Sequence, residues 1–440
     1  MVDNTGRSGH RGVRKRRGRG VPTAVVLALV TVLALGLSAC SSGGTAKPKS
    51  TGTTNPTVTA PTGGVTASST ATDPPAVITA SLHASDAISP VTPVALSVAN
   101  GKLTSAKLVN PAGKAVTGAL AANGSGWHTT EVLGYSKTYR LTATAENAAG
   151  TATTKKLTFS TITPANMTAA YLDTVYGSPI QNGATYGVGM IPVVHFDEQI
   201  TDRKAAEKAL TVTTSPHVDG SWYWPDGQNV HWRPKNFYAP GTKVTVAAHV
   251  YGVQVGAGLY GQSDQSVSFR IGAKHIAIAS AQTHQVKVYV GDKLVRTMPT
   301  SMGQGGYVQG KNGQIALWTM PGTYTVLGYE NPAIMSSDSY GLPANSPYGY
   351  APEKVYWSTK ISTDGIYLHE LDTTVWAQGH QNVSHGCLNL NYDNAKWFFT
   401  HTRVGDVVKV IQSGGPQLQE WQGGDWTVPW STWTKGSALS

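Results

Sequence analysis

The sequence predicts a mainly β fold, with two tandem β-sandwiches followed by a third β-rich domain and a Trp-rich tail. Charged residues make up only 13% of the 440 residues and glycine is abundant, which is typical of extracellular β modules. Short alternating runs are separated by Gly and Asn turns. Two segments end alike, in an alternating strand that leads into a small linker, at 155–165 and at 265–275.

A chain of this length exceeds one hydrophobic core, so several domains are expected. Changes in composition divide the chain into six parts. We predict a signal peptide at 1–39, a Ser/Thr/Pro/Gly linker at 40–77, sandwiches at 78–163 and 164–272, the third domain at 273–412 and the tail at 413–440.

The N-terminal segment has the order of a secretory signal. A basic stretch at 1–20 precedes the apolar run 21–37, and "LSAC" follows at 37–40. "LSAC" matches the bacterial lipobox, in which Cys40 is acylated with a lipid; the alternative is an ordinary signal that contains a cysteine by chance. We expect an exported lipoprotein on the outer face of the membrane.

The net charge of +10 gives little support for a nucleic-acid partner. Residues 1–39 carry +6 of it, so +4 remains once they are removed. Residues 41–76 contain no aromatic residue and no Leu, Ile or Met, and therefore predict a tether without a core.

Within the second sandwich, "TDRKAAEKAL" (201–210) predicts a short helix with Thr201 as its N-cap. "GSWYWPDGQNVHWRP" (220–234) predicts a hairpin around Asp226-Gly227. Its aromatic residues suit sugar stacking or core packing, and packing is the commoner use.

The third domain opens with a hairpin in which valines alternate up to a turn at Gly291-Asp292. Further strands are predicted at 323–329, 365–371 and 405–411, and a helix at 391–402 with Trp397 and Phe398 turned inward. The four tryptophans of 418–433 either latch the tail onto an earlier domain or form a glycan platform. We favour the latch.

Cys387 is the most informative residue of the third domain. If Cys40 is acylated, Cys387 has no intramolecular partner, and it lies among polar residues in "SHGCLN". A nucleophilic cysteine acts as the thiolate, which a neighbouring imidazolium favours. His369, on the strand "IYLHEL", is a better placed partner than His385, and the amides of Gly386 and Cys387 could bind an oxyanion.

Two further roles for this thiol stay open from spacing alone. Cys387 could be a small core residue with His369 a satisfied strand histidine. Zinc could be bound by His369, His380, His385 and Cys387, although His385 and Cys387 flank a single glycine and no CxxC or HExxH accompanies them.

Seventeen residues separate His369 from Cys387 of "SHGCLN", and this run resembles the signature of the YkuD-type L,D-transpeptidases. The resemblance extends to "IMSSDSYGLPANSPYGY" (334–350), which looks like the family's active-site flap, and to the Trp-rich tail. The two upstream modules resemble the paired immunoglobulin-like domains of mycobacterial and other actinobacterial members.

This resemblance implies a cysteine acyltransferase that acts on peptidoglycan stem peptides. Cys387 would attack the carbonyl of the third-position diamino acid and expel D-Ala, and a neighbouring stem's amine would accept the acyl group. His369 would act as general base and acid, with the main-chain carbonyl of Glu370 as third member. Relatives often have a small residue at that position, and the Glu370 carboxylate is expected to favour imidazolium. The resemblance implies substrate-binding roles for Met335, Tyr340, Tyr350, Asp364, Gly365, Ser384, His385, Gly386 and Asn389.

The resemblance also implies covalent inhibition by carbapenem β-lactams, a reaction without a cofactor, and a location that reaches into the cell wall. Gln254 and Ala257 stand where some relatives have acidic residues, so no metal is expected. The alternatives are an L,D-carboxypeptidase, in which water replaces the amine, and a non-catalytic cell-wall-binding lipoprotein.

Overall fold

The first sandwich forms because its strands alternate buried and exposed residues, as in Thr138–Glu146, where every second side chain is buried. The computed structural model describes residues 73–440. The predicted signal peptide and Cys40 therefore lie outside the described residues. The strands are β1 (Val77–Ala80), β2 (Ala87–Ile88), β3 (Ala95–Ala99), β4 (Lys102–Val109), β5 (Ala115–Val116), β6 (Gly118–Leu120), β7 (Gly126–Thr129), β8 (Thr138–Glu146) and β9 (Ala152–Thr161).

These strands form two sheets, ordered β1-β3-β7-β6 and β2-β9-β8-β4-β5. Their inner faces share one hydrophobic cluster that includes Trp127, Tyr139 and Phe159. Tyr135 connects this sandwich to the next one, because its hydroxyl donates to the carbonyl of Gly261 at 2.8 Å and accepts from the amide of Gly252 at 2.7 Å.

The second sandwich has sheets ordered β11-β13-β16-β15, β12-β20-β17-β14 and β10-β19-β18 around a second cluster. Trp222 and Trp232 of the predicted hairpin are buried in it, so their role is packing. The elements are β10 (Asn166–Thr168), β11 (Ala170–Thr174), β12 (Thr185–Tyr186), β13 (Pro192–Phe196), α1 (Arg203–Lys208), β14 (Leu210–Ser215), β15 (Gly220–Tyr223), β16 (Asn229–Pro234), β17 (Lys243–Ala248), β18 (Gln254–Gly256), β19 (Leu259–Gly261) and β20 (Gln265–Ile271).

The third domain contains a five-stranded sheet ordered β23-β22-β21-β33-β26 and a four-stranded sheet ordered β27-β30-β31-β32. Two hairpins, β24-β25 and β28-β29, extend from them. The strands are β21 (His275–Ser280), β22 (Gln285–Val290), β23 (Lys293–Pro299), β24 (Tyr307–Gly310), β25 (Gly313–Ala316), β26 (Gly322–Thr325), β27 (Gly328–Glu330), β28 (Ala333–Met335), β29 (Glu353–Val355), β30 (Ser358–Lys360), β31 (Tyr367–Glu370), β32 (Leu388–Leu390) and β33 (Val407–Ile411), and the helices are α2 (Tyr392–His401) and α3 (Trp430–Trp433).

The helices begin close to their predicted positions. The Asn391 side chain accepts from the amide of Asn394 and caps α2. The predicted N-cap of α1 was wrong by one residue, because Asp202 rather than Thr201 accepts from the amide of Ala205. Within the described residues, no helix combines the length and the apolar character needed to cross a bilayer.

The tail packs on the second sandwich, as the latch hypothesis predicts. Trp433 is fully buried, stacks on Tyr223 with ring centroids 4.7 Å apart, and donates its Nε1–H to the carbonyl of Ser221. The Arg233 guanidinium lies over the rings of Trp433 and Trp426, at 4.6 and 5.0 Å. The described residues 73–440 lie in one compact unit that contains all three hydrophobic clusters, so residues 71–440 are a suitable soluble fragment for experiments.

We expect Trp433→Ala to destabilise the protein by about 3–5 kcal/mol, because it leaves a cavity and removes one of the rings on which Arg233 packs. Trp421 is 66% exposed, so Trp421→Ala is the matched control and should change stability by less than about 0.5 kcal/mol. Calorimetric unfolding of residues 71–440 measures both. Equal effects of the two substitutions would contradict the latch.

Candidate active site

Two neighbouring parallel strands bring His369 and Cys387 to one edge of the four-stranded sheet. In the register of β31 and β32, Leu368 pairs with Leu388 and His369 with Asn389. Cys387 directly precedes β32, and side chains two residues apart on an extended chain share a face. The side chains of His369, Cys387 and Asn389 therefore lie on one face of the sheet. His369 is on the strand that was predicted at 365–371.

One hydrogen bond fixes the orientation of the His369 ring and the nitrogen that carries its proton. It is 4% exposed, and its Nδ1 lies 2.9 Å from the carbonyl oxygen of Glu370. A carbonyl only accepts, so Nδ1 carries the proton and Nε2 keeps a free lone pair. The contact is the one that the family pattern implies for Glu370.

The expected imidazolium is wrong. Burial lowers the pKa of His369 to about 4, and the hydrogen bond to Glu370 offsets this only in part. The Glu370 side-chain charge is not among the causes that shift the pKa of His369; only burial and the hydrogen bond to the Glu370 main chain act on it. At neutral pH the imidazole is uncharged.

The thiol is also uncharged at neutral pH. Cys387 is half-buried, and its Sγ donates to the carbonyl oxygen of Gly365 at 3.7 Å. Burial raises its pKa to about 11, although the backbone N–H of Tyr367 partly lowers it. A reaction at this thiol at neutral pH would therefore need a base that takes the proton during the step.

The pH dependence of thiol alkylation tests this protonation state. With a thiol pKa of about 11, the rate of Cys387 alkylation by iodoacetamide should rise about tenfold per pH unit from pH 7 to 10. A thiolate–imidazolium pair would instead give a plateau between the two pKa values. Liquid chromatography with intact-mass detection measures the rate, and a plateau from pH 5 to 8 would contradict the neutral pair.

The loop before β32 is held by hydrogen bonds from two hydroxyl groups. The Ser384 Oγ donates to the carbonyl of Cys387 at 2.6 Å and accepts from the amide of Gly386 at 3.1 Å. Thr319 Oγ1 donates to the carbonyl of Gly386 at 2.6 Å. The Gly386 amide, which was expected to bind the oxyanion, donates to Ser384 Oγ in this structure. Gly386 has φ of 147°, which favours glycine.

The flap and the loop meet through three aromatic rings. The His385 ring lies 5.3 Å from Tyr350 and 6.5 Å from Tyr340, and its Nε2–H donates to the carbonyl of Tyr348 at 2.7 Å. Burial raises the pKa of Tyr340 to about 12 and that of Tyr350 further, so both hydroxyls stay protonated donors. Met335 lies in the same flap, in β28, opposite Glu353.

The predicted Asp364-Gly365 turn lies beside the thiol, but the Asp364 carboxylate is occupied. It accepts from Ser362 Oγ at 2.5 Å and from Gln422 Nε2 at 2.6 Å. Asp364 therefore shapes the turn, and Gly365 is the residue that contacts Cys387. Gln422 was missed, because nothing in the local sequence of the tail indicates that it reaches this turn.

Replacing Gln422 with leucine removes the donor that holds Asp364. We expect a reduction of about tenfold in the rate at which a carbapenem acylates Cys387, since small displacements of a reacting group are costly. Gln417→Leu, at an exposed position of the same tail, is the control. Equal acylation rates for both variants would show that the turn does not depend on Gln422.

Asn389 presents an unpartnered acceptor near His369. It is 2% exposed, its Nδ2 donates to Thr374 Oγ1 at 3.3 Å, and its buried Oδ1 has no hydrogen-bond partner in residues 73–440. A buried acceptor of this kind suits a substrate N–H. The zinc alternative has little geometric support, because the ligand atoms of His369, His380, His385 and Cys387 do not converge in the described part of the chain.

Comparison with known proteins agrees with this arrangement. Residues 274–410 match the model of the L,D-transpeptidase catalytic domain, and residues 85–254 match that of a bacterial Ig domain. The chain is 42% identical to L,D-transpeptidase 2 of Mycobacterium tuberculosis, over 79% of this chain and 81% of that protein. This chain belongs to the L,D-transpeptidase family.

A second relative is L,D-transpeptidase 5 of Mycobacterium tuberculosis, 33% identical over 81% of this chain and 75% of that protein. The solved structure of the LD transpeptidase LdtMt1 in complex with imipenem has 31% identity and a TM-score of 0.44, and covers 52% of this chain and 95% of that one. The predicted fold class is confirmed: immunoglobulin-like modules precede an L,D-transpeptidase catalytic domain in a mainly β chain.

Proposed function

We propose that this L,D-transpeptidase joins two peptidoglycan stem peptides through their third-position diamino acids, with Cys387 as the acyl carrier. The observation that supports this most strongly is the His369 tautomer. The Glu370 carbonyl holds the Nδ1 proton, so Nε2 is the basic nitrogen on the face that it shares with the thiol.

In the first half-reaction, Cys387 Sγ bonds to the carbonyl carbon of the third residue while Nε2 takes the thiol proton. The bond to D-Ala breaks, and His369 returns the proton to the leaving amine. The Cys387 amide and the Tyr350 hydroxyl are the donors proposed for the oxyanion, since the Gly386 amide is engaged.

In the second half-reaction, the diamino acid amine of another stem attacks the thioester. Its proton passes to Nε2, the C–S bond breaks and the sulfur regains a proton. The thioester retains the free energy of the cleaved peptide bond, so the overall reaction requires no nucleotide and no cofactor.

Product analysis distinguishes this reaction from hydrolysis. Residues 71–440 are incubated with a disaccharide-tetrapeptide, and the products are separated by chromatography and sequenced by tandem mass spectrometry. A dimer joined between two third residues supports the transpeptidase. Tripeptide alone would replace it with an L,D-carboxypeptidase, and no product from folded protein would favour a non-catalytic wall-binding protein.

The same chemistry makes carbapenems covalent inhibitors. The thiol would add to the β-lactam carbonyl, the ring C–N bond would open and His369 would give the proton to nitrogen. One adduct per chain, mapped to Cys387 by peptide mass analysis, is the expected result. An adduct at another residue would contradict it.

We further propose that the chain is an exported lipoprotein anchored through Cys40 to the outer face of the cell membrane, from which the catalytic domain reaches into the wall. The lipobox "LSAC" supports this. Metabolic labelling of the full chain with an alkyne fatty acid tests it. Label that persists in a Cys40→Ala variant would contradict the anchor.

A further inference from the structure

A cavity lies where the tail meets the second sandwich. It measures about 570 Å³, and its lining includes Asp173, Asp226 and His231 from the sandwich and Glu420 from the tail. The proposed reaction uses none of these residues. Titratable groups that are concentrated in a cleft often mark a binding site.

Three side chains of types that can ligate a metal converge here from distant parts of the sequence. His231 lies on β16, Glu420 begins the 3-10 helix Glu420–Gln422, and Asp425 begins the 3-10 helix Asp425–Thr427. One ligand atom from each lies within 4.8 Å of the other two. His231 Nδ1 and Asp425 Oδ1 are 2.6 Å apart.

The Asp425 carboxylate is only partly satisfied. The residue is fully buried, and its Oδ2 has no hydrogen-bond partner in the described part of the chain. Asp226, which lines the same cavity, accepts from Gln228 and twice from Asn229 at 2.7–2.8 Å. An orphaned buried carboxylate oxygen is costly unless an ion or another donor compensates it.

The charge of Arg233 is engaged elsewhere. Its guanidinium packs on the rings of Trp426 and Trp433 and donates to the carbonyl of Val428, so it leaves Asp425 Oδ2 without a hydrogen bond.

We propose that His231, Glu420 and Asp425 bind one divalent transition-metal ion, for which Zn²⁺ is the best match. Imidazole nitrogens and carboxylate oxygens both ligate zinc, and the adjoining cavity leaves room for water as a fourth ligand. The ion would join the second sandwich to the tail. It would also steady the helix that carries Gln422, the donor to the Asp364 turn.

Zinc titration of residues 71–440 by calorimetry tests the site at pH 7.5. A Cys387→Ala background removes the one thiol of this part, which would compete for the ion. Glu420→Gln keeps the shape of a half-buried side chain while it removes a ligand charge. Asp226→Asn is the matched control, in the same cavity but outside the cluster.

We expect one equivalent of Zn²⁺, an affinity at least about tenfold weaker in Glu420→Gln, and less than about a twofold change in Asp226→Asn. Affinity should fall at acidic pH, because His231 must lose its proton to bind. The Cys387→Ala protein keeps all three proposed ligands. Anomalous scattering at the zinc edge from its crystals should place the ion between the three side chains.

Absence of binding, or equal affinity in Glu420→Gln, would overturn the proposal. An anomalous peak elsewhere would overturn it as well. None of these outcomes depends on catalysis, so the site can fail while the transpeptidase activity stands.

Discussion

Alanine at Cys387 is expected to lower the rate of stem-peptide cross-linking at least about 10³-fold, because no other group in the site can carry the acyl chain. Dimer formation from a disaccharide-tetrapeptide, followed by chromatography, gives the rate. Cys387→Ser is the shape-matched control for folding, and both variants should unfold at a temperature close to that of the parent protein.

A Cys387→Ala protein that still forms the dimer would contradict the acyl-carrier role. Unchanged binding to isolated cell walls by this variant is expected in either case. Wall binding alone would therefore support the non-catalytic alternative only if the parent protein also gave no product.

Replacement of His369 with glutamine should slow carbapenem acylation about 10²–10⁴-fold at pH 7, because the thiol loses its general base. The loss should shrink as the pH rises toward 11. With a thiol pKa of about 11, about one thiol in ten thousand is ionised at pH 7 and about one in ten at pH 10, so the base matters less.

His380→Gln is the matched control, since His380 is an exposed histidine close to the same loop. It should acylate at the parent rate. A His369→Gln defect that stays constant from pH 7 to 10 would indicate a structural role for His369 instead of proton transfer.

The fold and the central pair of the site were predictable from local patterns. Alternating valines and the turn at Gly291 predicted the hairpin of β22 and β23, which the structure contains. The strand around His369 and the short motif around Cys387 predicted their proximity, because parallel neighbours in a sheet align residues far apart in sequence.

The protonation state was not predictable, because it depends on burial. A sequence motif places an imidazole beside a thiol, but only the packed structure shows that both are desolvated and therefore neutral. The acceptor of the Gly386 amide was not predictable either, because Ser384 Oγ, two residues away, could equally have pointed elsewhere.

Contacts between distant segments of the chain were also not predictable from the sequence. Gln422 reaches Asp364 over 58 residues, and His231 reaches Asp425 over 194. The Trp-rich tail predicted a latch, but the polar partners of that latch have no periodicity or motif that identifies them in advance.

The most direct test of the acyl-carrier role is rapid acid quenching of residues 71–440 mixed with a disaccharide-tetrapeptide, followed by intact-mass measurement and peptide mapping. We predict a covalent adduct on Cys387 that equals the substrate without its D-Ala. This adduct should disappear as the dimer forms when an acceptor stem is added. Dimer formation with no adduct on Cys387 at any quench time, or an adduct on another residue, would contradict this role.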